Sequence, residues 1–165
     1  MSFRKSVTYK LDKVWTNNSN KDLFTGWWRR KLEDEHHPHV DHIVECQLGE
    51  HIWNQALDGR MTTRTRLAKV TKLWNDVDNL NVTTNWLNQR KGDAFERWLK
   101  GQDDDLRSAL VYYNVASNQR TKIVVAFEDA QRWLADELDD LAEDSGLDLY
   151  ADISCELEHW LGKTG

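Results

Sequence analysis

The chain has 165 residues, 39% of them hydrophobic and 30% charged, which is ordinary for a globular protein. It has no apolar run near 18 residues, so the sequence predicts no membrane-spanning helix. Its first ten residues contain no apolar h-region of a signal peptide, so the sequence predicts no secretory signal. We therefore expect one intracellular domain, unless the sequence is an excised piece of a longer protein. Two cysteines without a CxxC pair favour buried thiols over a disulfide framework or a structural zinc site.

The charge is distributed unevenly along the chain. Residues 102–165 hold 15 acidic and 5 basic residues, a net charge of −10, so residues 1–101, with 13 acids and 17 bases, carry +4. This asymmetry suggests a basic working face and an acidic appendage. A solvated acidic helix face explains it equally well.

The first elements combine helical and strand patterns. Residues 7–15 show both alternation and helical spacing, so their state stays open. Residues 21–34 predict a helix with one apolar side, formed by Leu23, Phe24, Trp27, Trp28 and Leu32. Pro38 ends that segment, and the β-branched run over 40–47 predicts a strand.

The middle of the chain is predicted to be helical except for one strand. Within 48–78, a short helix ends near Gly59, and Thr62 or Thr63 caps a second helix. The outer face of this second helix is basic, which indicates a phosphate-facing surface or a solvated face; its members are Arg60, Arg64, Arg66, Lys69 and Lys72. Residues 80–83 are predicted as the second strand, and Asn85 as the start of the next helix.

The C-terminal third is also predicted to be helical. Three aspartates at 103–105 favour a helix start, and apolar residues recur at helical spacing over 127–141 and 150–160. The predicted fold class is α+β and mostly α, with residues 1–101 as the core and 102–165 as an acidic helical extension packed on the same domain. The acidic segment 128–148 would bind a protein partner or cover the basic site as an inhibitory arm.

Four polar residues accompany the two predicted strands and the helix after them. Asp41 and His42 stand side by side on the first strand, Asn79 precedes the second, and Asn88 lies one turn into the helix. A histidine with a pKa near neutrality is a suitable general base, and Asp and Asn oxygens suit a hard divalent cation. These residue types match phosphodiester hydrolysis, which needs an activated water and a neutralised phosphate.

Adjacent residues of a regular strand point to opposite faces of the sheet. Asp41 and His42 can therefore serve one site only where the strand begins or bulges. Pro38, three residues upstream, favours an irregular start.

The stretches VDHIVECQ and NLNVTTNWLNQRKG together resemble the HNH endonucleases, in which a β-hairpin and a helix clasp one metal ion. The Asp-His-Ile-Val pattern is present, eight residues separate Asn79 from Asn88, and Lys91 and Gly92 follow at the family's spacing. The resemblance covers about residues 39–99. The sequence departs from the family at Glu45, near which proline is frequent, and in its long helical insert at 48–78.

The resemblance implies a metal-dependent nuclease that hydrolyses DNA in preference to RNA. By position, His42 would be the general base, Asp41 and Asn88 the metal ligands, and Asn79 the brace of the loop that carries His42. Mg²⁺ is the expected cofactor, with Mn²⁺, Ni²⁺ or Zn²⁺ as alternatives. Nucleic acid would be contacted by a basic set formed by His39, Lys91, Arg90, Arg64 and Lys69.

Two other interpretations stay open. One is a catalytically silent module that keeps the HNH fold to bind nucleic acid or protein, such as an effector or toxin domain acting through a partner. The other is a helical interaction protein in which the motif matches by chance.

Gly92 lies inside a predicted helix, where glycine costs up to about 1 kcal/mol relative to alanine, and this indicates close approach of another backbone or a ligand.

Overall fold

A computed structural model of the chain describes Phe3 and residues 10–165. These residues form eight α-helices and one two-stranded antiparallel hairpin, which is the mostly helical α+β fold that the sequence predicts. The elements are α1 (Leu11–Asn17), α2 (Arg29–Glu35), β1 (Pro38–His42), α3 (Cys46–Leu57), α4 (Arg64–Trp74), β2 (Leu80–Thr84), α5 (Asn85–Leu99), α6 (Leu106–Tyr112), α7 (Ser117–Ser145) and α8 (Asp148–Leu161). No helix in the described part is long and apolar enough to cross a membrane.

The hairpin lies between two layers of helices. Its strands pair over all 5 residues of each. One face packs on α1 and α2 through a small apolar cluster of Val14, Trp15, Leu32, Leu80 and Val82. Alternation along β1 puts Asp41 on the other face, and its contact with Lys91 places α5 over that face.

A large apolar core joins α3 and α5 to the acidic C-terminal helices. The ring centroid of Trp98 on α5 lies 5.9 Å from that of Phe127 on α7 and 4.7 Å from that of Trp160 on α8. Five of the nine tryptophans are buried. Residues 102–165 thus share one core with the segment that precedes them.

The helix predicted over 21–34 is wrong in its first half, because only Arg29–Glu35 is helical. Asp22 holds the residues before α2 in a loop. Its carboxylate accepts hydrogen bonds from the backbone N–H of Phe24 at 2.9 Å and from the hydroxyl of Thr25 at 2.6 Å. Local side-chain bonds of this kind compete with helix formation.

The same carboxylate ties this loop to the hairpin. Asp22 has no exposed surface and accepts further hydrogen bonds from Asn81 Nδ2 at 2.8 Å and Thr83 Oγ1 at 2.9 Å, both on β2. Because these donors come from a distant part of the chain, the loop is fixed by the fold as a whole.

Several other predicted boundaries agree with the structure, but those of the first strand do not. Thr63 caps α4 and Thr84 caps α5, each through its side chain, and α5 begins at Asn85 as predicted. The first strand begins at Pro38, before the predicted 40–47, and it ends at His42 because α3 already starts at Cys46. Of the undecided segment 7–15, residues 7–9 lie outside the described residues, and α1 begins at Leu11.

Candidate functional site

Asn79 is fully buried, and its side-chain amide joins two separate parts of the backbone. Oδ1 accepts a hydrogen bond from the N–H of Val44 at 2.7 Å, and Nδ2 donates to the carbonyl of Val44 at 3.1 Å. Nδ2 also donates to the carbonyl of Trp74 at 2.9 Å. The amide therefore clamps the chain two residues after His42, which is where the resemblance places a brace.

His42 ends β1 with 3% of its surface exposed. Its Nε2 lies 3.2 Å from Oδ1 of Asn75, the residue that follows α4. The Nδ2 group of Asn75 donates to the backbone carbonyls of Phe3 at 3.0 Å and Thr71 at 2.7 Å. Sequence patterns did not single out Asn75, because an asparagine after a helix looks like an ordinary end of that helix.

Lys91 is fully buried between two carboxylates. Its Nζ lies 3.1 Å from Asp41 Oδ2 and 2.6 Å from Glu45 Oε1, and it donates to the carbonyl of His42 at 2.7 Å. Burial alone lowers the pKa of Lys91, but the charges of Asp41 and Glu45 more than offset this and raise the pKa above its ordinary value. In contrast to the expected phosphate contact, this ammonium has no exposed surface from which to reach a phosphate.

Asp41 and His42 lie in a regular part of β1. Asp41 is opposite Asn81 and His42 is opposite Leu80, and no bulge interrupts the ladder within the described hairpin. Their side chains therefore leave opposite faces of the strand, Asp41 toward Lys91 on α5 and His42 toward the end of α4. The irregular start expected near Pro38 is absent from this part of the structure, since the ladder already includes that residue.

Asn88 lies on α5 one turn before Lys91, on the same side of that helix, and is partly exposed. Asp41 and Asn88 both offer oxygen donors, which suit a hard cation such as Mg²⁺, and a carboxylate can accept more than one partner. A cation held there would share Asp41 with the Lys91 ammonium. Over Phe3 and residues 10–165, no group of three or more His, Cys, Asp or Glu side chains forms a metal cluster.

The remaining residues of the expected nucleic-acid contact differ in availability. His39 on β1 and both Arg64 and Lys69 on α4 are exposed. Arg90 is engaged within the protein: its guanidinium donates to two backbone carbonyls between α6 and α7 and lies 4.1 Å from the ring centroid of Trp86. The exposed members are therefore the ones that can meet a phosphate directly.

Gly92 follows Lys91 on α5 and does not mark a close approach of another backbone. A Cβ atom added there would lie 3.9 Å from its nearest neighbour, Glu45 Oε1, which is an ordinary contact. The expectation of another backbone close to this glycine is therefore wrong, and a ligand close to it stays a prediction.

The acidic segment 128–148 forms the last part of α7 and the start of α8. Asp129 and Trp133 of this segment line a cavity of about 470 Å³ together with Ile43 and Asp78. Because Ile43 follows His42 and Asp78 precedes Asn79, the acidic helix runs beside the candidate site. An inhibitory or partner-binding role for this segment stays a prediction, and substitution of its exposed acids tests it without removing the core residues of α7 and α8.

Comparison of the chain with protein-family models, with curated proteins and with solved structures found no match. The chemistry of the site therefore has to be judged from its own residues.

Proposed function

We propose that the chain is a metal-dependent nuclease in which His42 is the general base for attack of water on a phosphodiester. The observation that carries this proposal is the Asn79 amide, which clamps both the N–H and the carbonyl of Val44. A buried asparagine with this reach fits the brace of an HNH hairpin, and the hairpin and α5 follow in the order that the motif requires.

Each residue of the site would have the chemical role that its position indicates. His42, whose ring is bound to Asn75, would take the proton from water. The exposed basic groups His39, Arg64 and Lys69 would hold phosphates of the nucleic acid. Asp41 and Asn88 would hold a divalent cation, which when bound neutralises charge on the phosphate and lowers the pKa of water.

The closure of the site supports a second candidate function. Asp41 and His42 are 2% and 3% exposed and leave opposite faces of β1, so turnover requires that the end of β1 rearrange and that the site open to substrate and water. In a catalytically silent HNH-like binding module it would stay closed, with the Lys91 ammonium as the permanent cation beside Asp41. Such a module would use its exposed basic residues to bind nucleic acid without cleaving it.

Plasmid cleavage separates the two functions. Supercoiled DNA is incubated with magnesium, manganese or EDTA and with the wild type, His42→Ala or His37→Ala, which changes an exposed histidine outside the site. Metal-dependent nicking by the wild type and His37→Ala, but not by a folded His42→Ala, would support the nuclease. Equal cleavage by all three would overturn it, and DNA binding without cleavage by the wild type would favour the silent module.

A further inference from the structure

We propose that Asn75 is a positioning residue that fixes the neutral His42 ring as its Nε2–H tautomer, so that Nδ1 is the nitrogen that accepts a proton. The catalytic meaning of this inference rests on the proposed nuclease function. The tautomer itself rests only on the hydrogen bonds around the Asn75 amide.

The orientation of the Asn75 amide follows from its neighbours. Its nitrogen has two protons, and two backbone carbonyls accept them, that of Phe3 at 3.0 Å and that of Thr71 at 2.7 Å. A reversed amide would place its oxygen against these two carbonyl oxygens, which cannot donate. Oδ1 of Asn75 must therefore be the atom that faces His42.

The orientation of the amide decides the protonation of the ring. Oδ1 is only an acceptor, so the Nε2 atom of His42 at 3.2 Å must donate to it. A neutral imidazole carries one proton, and the other nitrogen, Nδ1, then lacks it. Asn75 is 6% exposed and His42 is 3% exposed, so water does not readily replace this hydrogen bond.

An asparagine in this position acts as orienting groups do in hydrolytic triads. A partner on one ring nitrogen selects the tautomer and the ring orientation, and leaves the other nitrogen to act as the base. Asn75 does this from outside the motif that resembles the HNH endonucleases, at the end of the helical insert. The insert would therefore contribute to the site through this amide.

Nitrogen-15 NMR of the histidine rings tests the tautomer without metal, nucleic acid or turnover. We expect the neutral His42 ring of the wild type to show a protonated Nε2 and an unprotonated Nδ1. We expect Asn75→Ala to show a mixture of tautomers. The matched control is Gln131→Ala, which removes another buried side-chain amide bound to a backbone carbonyl, that of Leu157, between α7 and α8. Its His42 signals should match those of the wild type.

Two results would overturn the proposal. One is a wild-type ring that carries its proton on Nδ1 or on a mixture of both nitrogens, and the other is an unchanged His42 spectrum in Asn75→Ala. If Asn75→Ala does not fold, Asn75→Asp replaces it, because one carboxylate oxygen keeps an acceptor toward Nε2, although the other then faces the carbonyls of Phe3 and Thr71. A folded Asn75→Asp protein without the Nε2 proton on a neutral ring would equally contradict the proposal.

Kinetics test the catalytic meaning separately. If the wild type cleaves DNA, Asn75→Ala should lower kcat about 10- to 100-fold with little change in KM, and Asn75→Asp should restore part of it. An unchanged kcat in a variant that has lost the tautomer would refute the positioning role. A wild type without cleavage would refute the proposed function while the NMR result still decides the tautomer.

Discussion

The Nζ atom of Lys91 lies 3.1 Å from Oδ2 of Asp41, and neither side chain is more than 2% exposed. This pair joins α5 to β1 across the buried face of the hairpin, and Glu45 extends it into a triad. Removal of one member of a buried ion pair leaves an uncompensated charge, which costs far more than the loss of an exposed pair.

Replacement of Lys91 should therefore destabilise the fold strongly. We expect Lys91→Met to lower the free energy of unfolding by about 3–5 kcal/mol, because Asp41 and Glu45 would stay buried without their cation. Urea denaturation followed by circular dichroism measures this. The control is Lys100→Ala, which breaks the exposed pair with Glu96 and should change stability by at most about 0.5 kcal/mol. A similar small loss for both variants would contradict the importance of the buried triad.

The titration of Lys91 should reflect the same two carboxylates. Its pKa is raised in the folded state, so its contribution to stability is fully present below the pKa of unfolded lysine, about 10.4. That contribution is lost only as the pH rises through the higher folded pKa. Carbon-13 NMR of the lysine ε-methylenes should find Lys91 titrating above the ordinary range, and titration below it would show that burial outweighs the carboxylates.

The Asn79 clamp should also be measurable as stability. Asn79→Ala would leave two carbonyls and one N–H of the backbone without their partner, and we expect a loss of about 3 kcal/mol or more. Asn85→Ala changes an exposed asparagine six residues away and should stay within about 0.5 kcal/mol of the wild type. Equal unfolding midpoints in urea for the two variants would argue against a brace.

The parts of the fold that the sequence predicts correctly are those with local signals. The start of α5 is an example, because Thr84 accepts a hydrogen bond from the N–H of Leu87 only three residues away. The cap of α4 by Thr63 has the same local character. The order of hairpin and α5 follows from these boundaries.

The parts that sequence reasoning missed depend on contacts between distant residues. Lys91 looks like a surface cation on α5, and its burial becomes evident only when Glu45, 46 positions earlier, is brought beside it. Lysine is rarely fully buried unless it is paired, so the sequence alone favours an exposed Lys91. Asn75 likewise has no recognisable pattern, because its role depends on where β1 ends.

Gly92 offers a test of helix propensity beside the site. The Cβ of Gly92→Ala would make only an ordinary contact with Glu45, so we expect an increase in stability of up to about 1 kcal/mol. Gly49→Ala is the opposite case, because its Cβ would lie 2.6 Å from Trp74 Nε1 and should cost about 1–3 kcal/mol. Thermal melting distinguishes them, and a lower Tm for Gly92→Ala would indicate a steric constraint at this position.

Asp22 should control the attachment of the loop before α2. Asp22→Ala would remove the acceptor for both backbone and side-chain donors of Phe24, Thr25, Asn81 and Thr83. We expect a loss of about 3 kcal/mol or more, since hydrogen bonds to a buried charged group are among the stronger ones. Hydrogen exchange should then increase at residues 18–28 more than in α7.

The isosteric variant Asp22→Asn separates shape from charge at the same position. Its amide oxygen can still accept from Phe24 and Asn81, while its nitrogen can donate to the hydroxyls of Thr25 and Thr83, which are able to accept. The loss in stability should therefore be clearly smaller than for Asp22→Ala, with the loop still protected from exchange. Equal losses for the two variants would mean that the negative charge of Asp22, and not the geometry of its acceptors, holds the loop against β2.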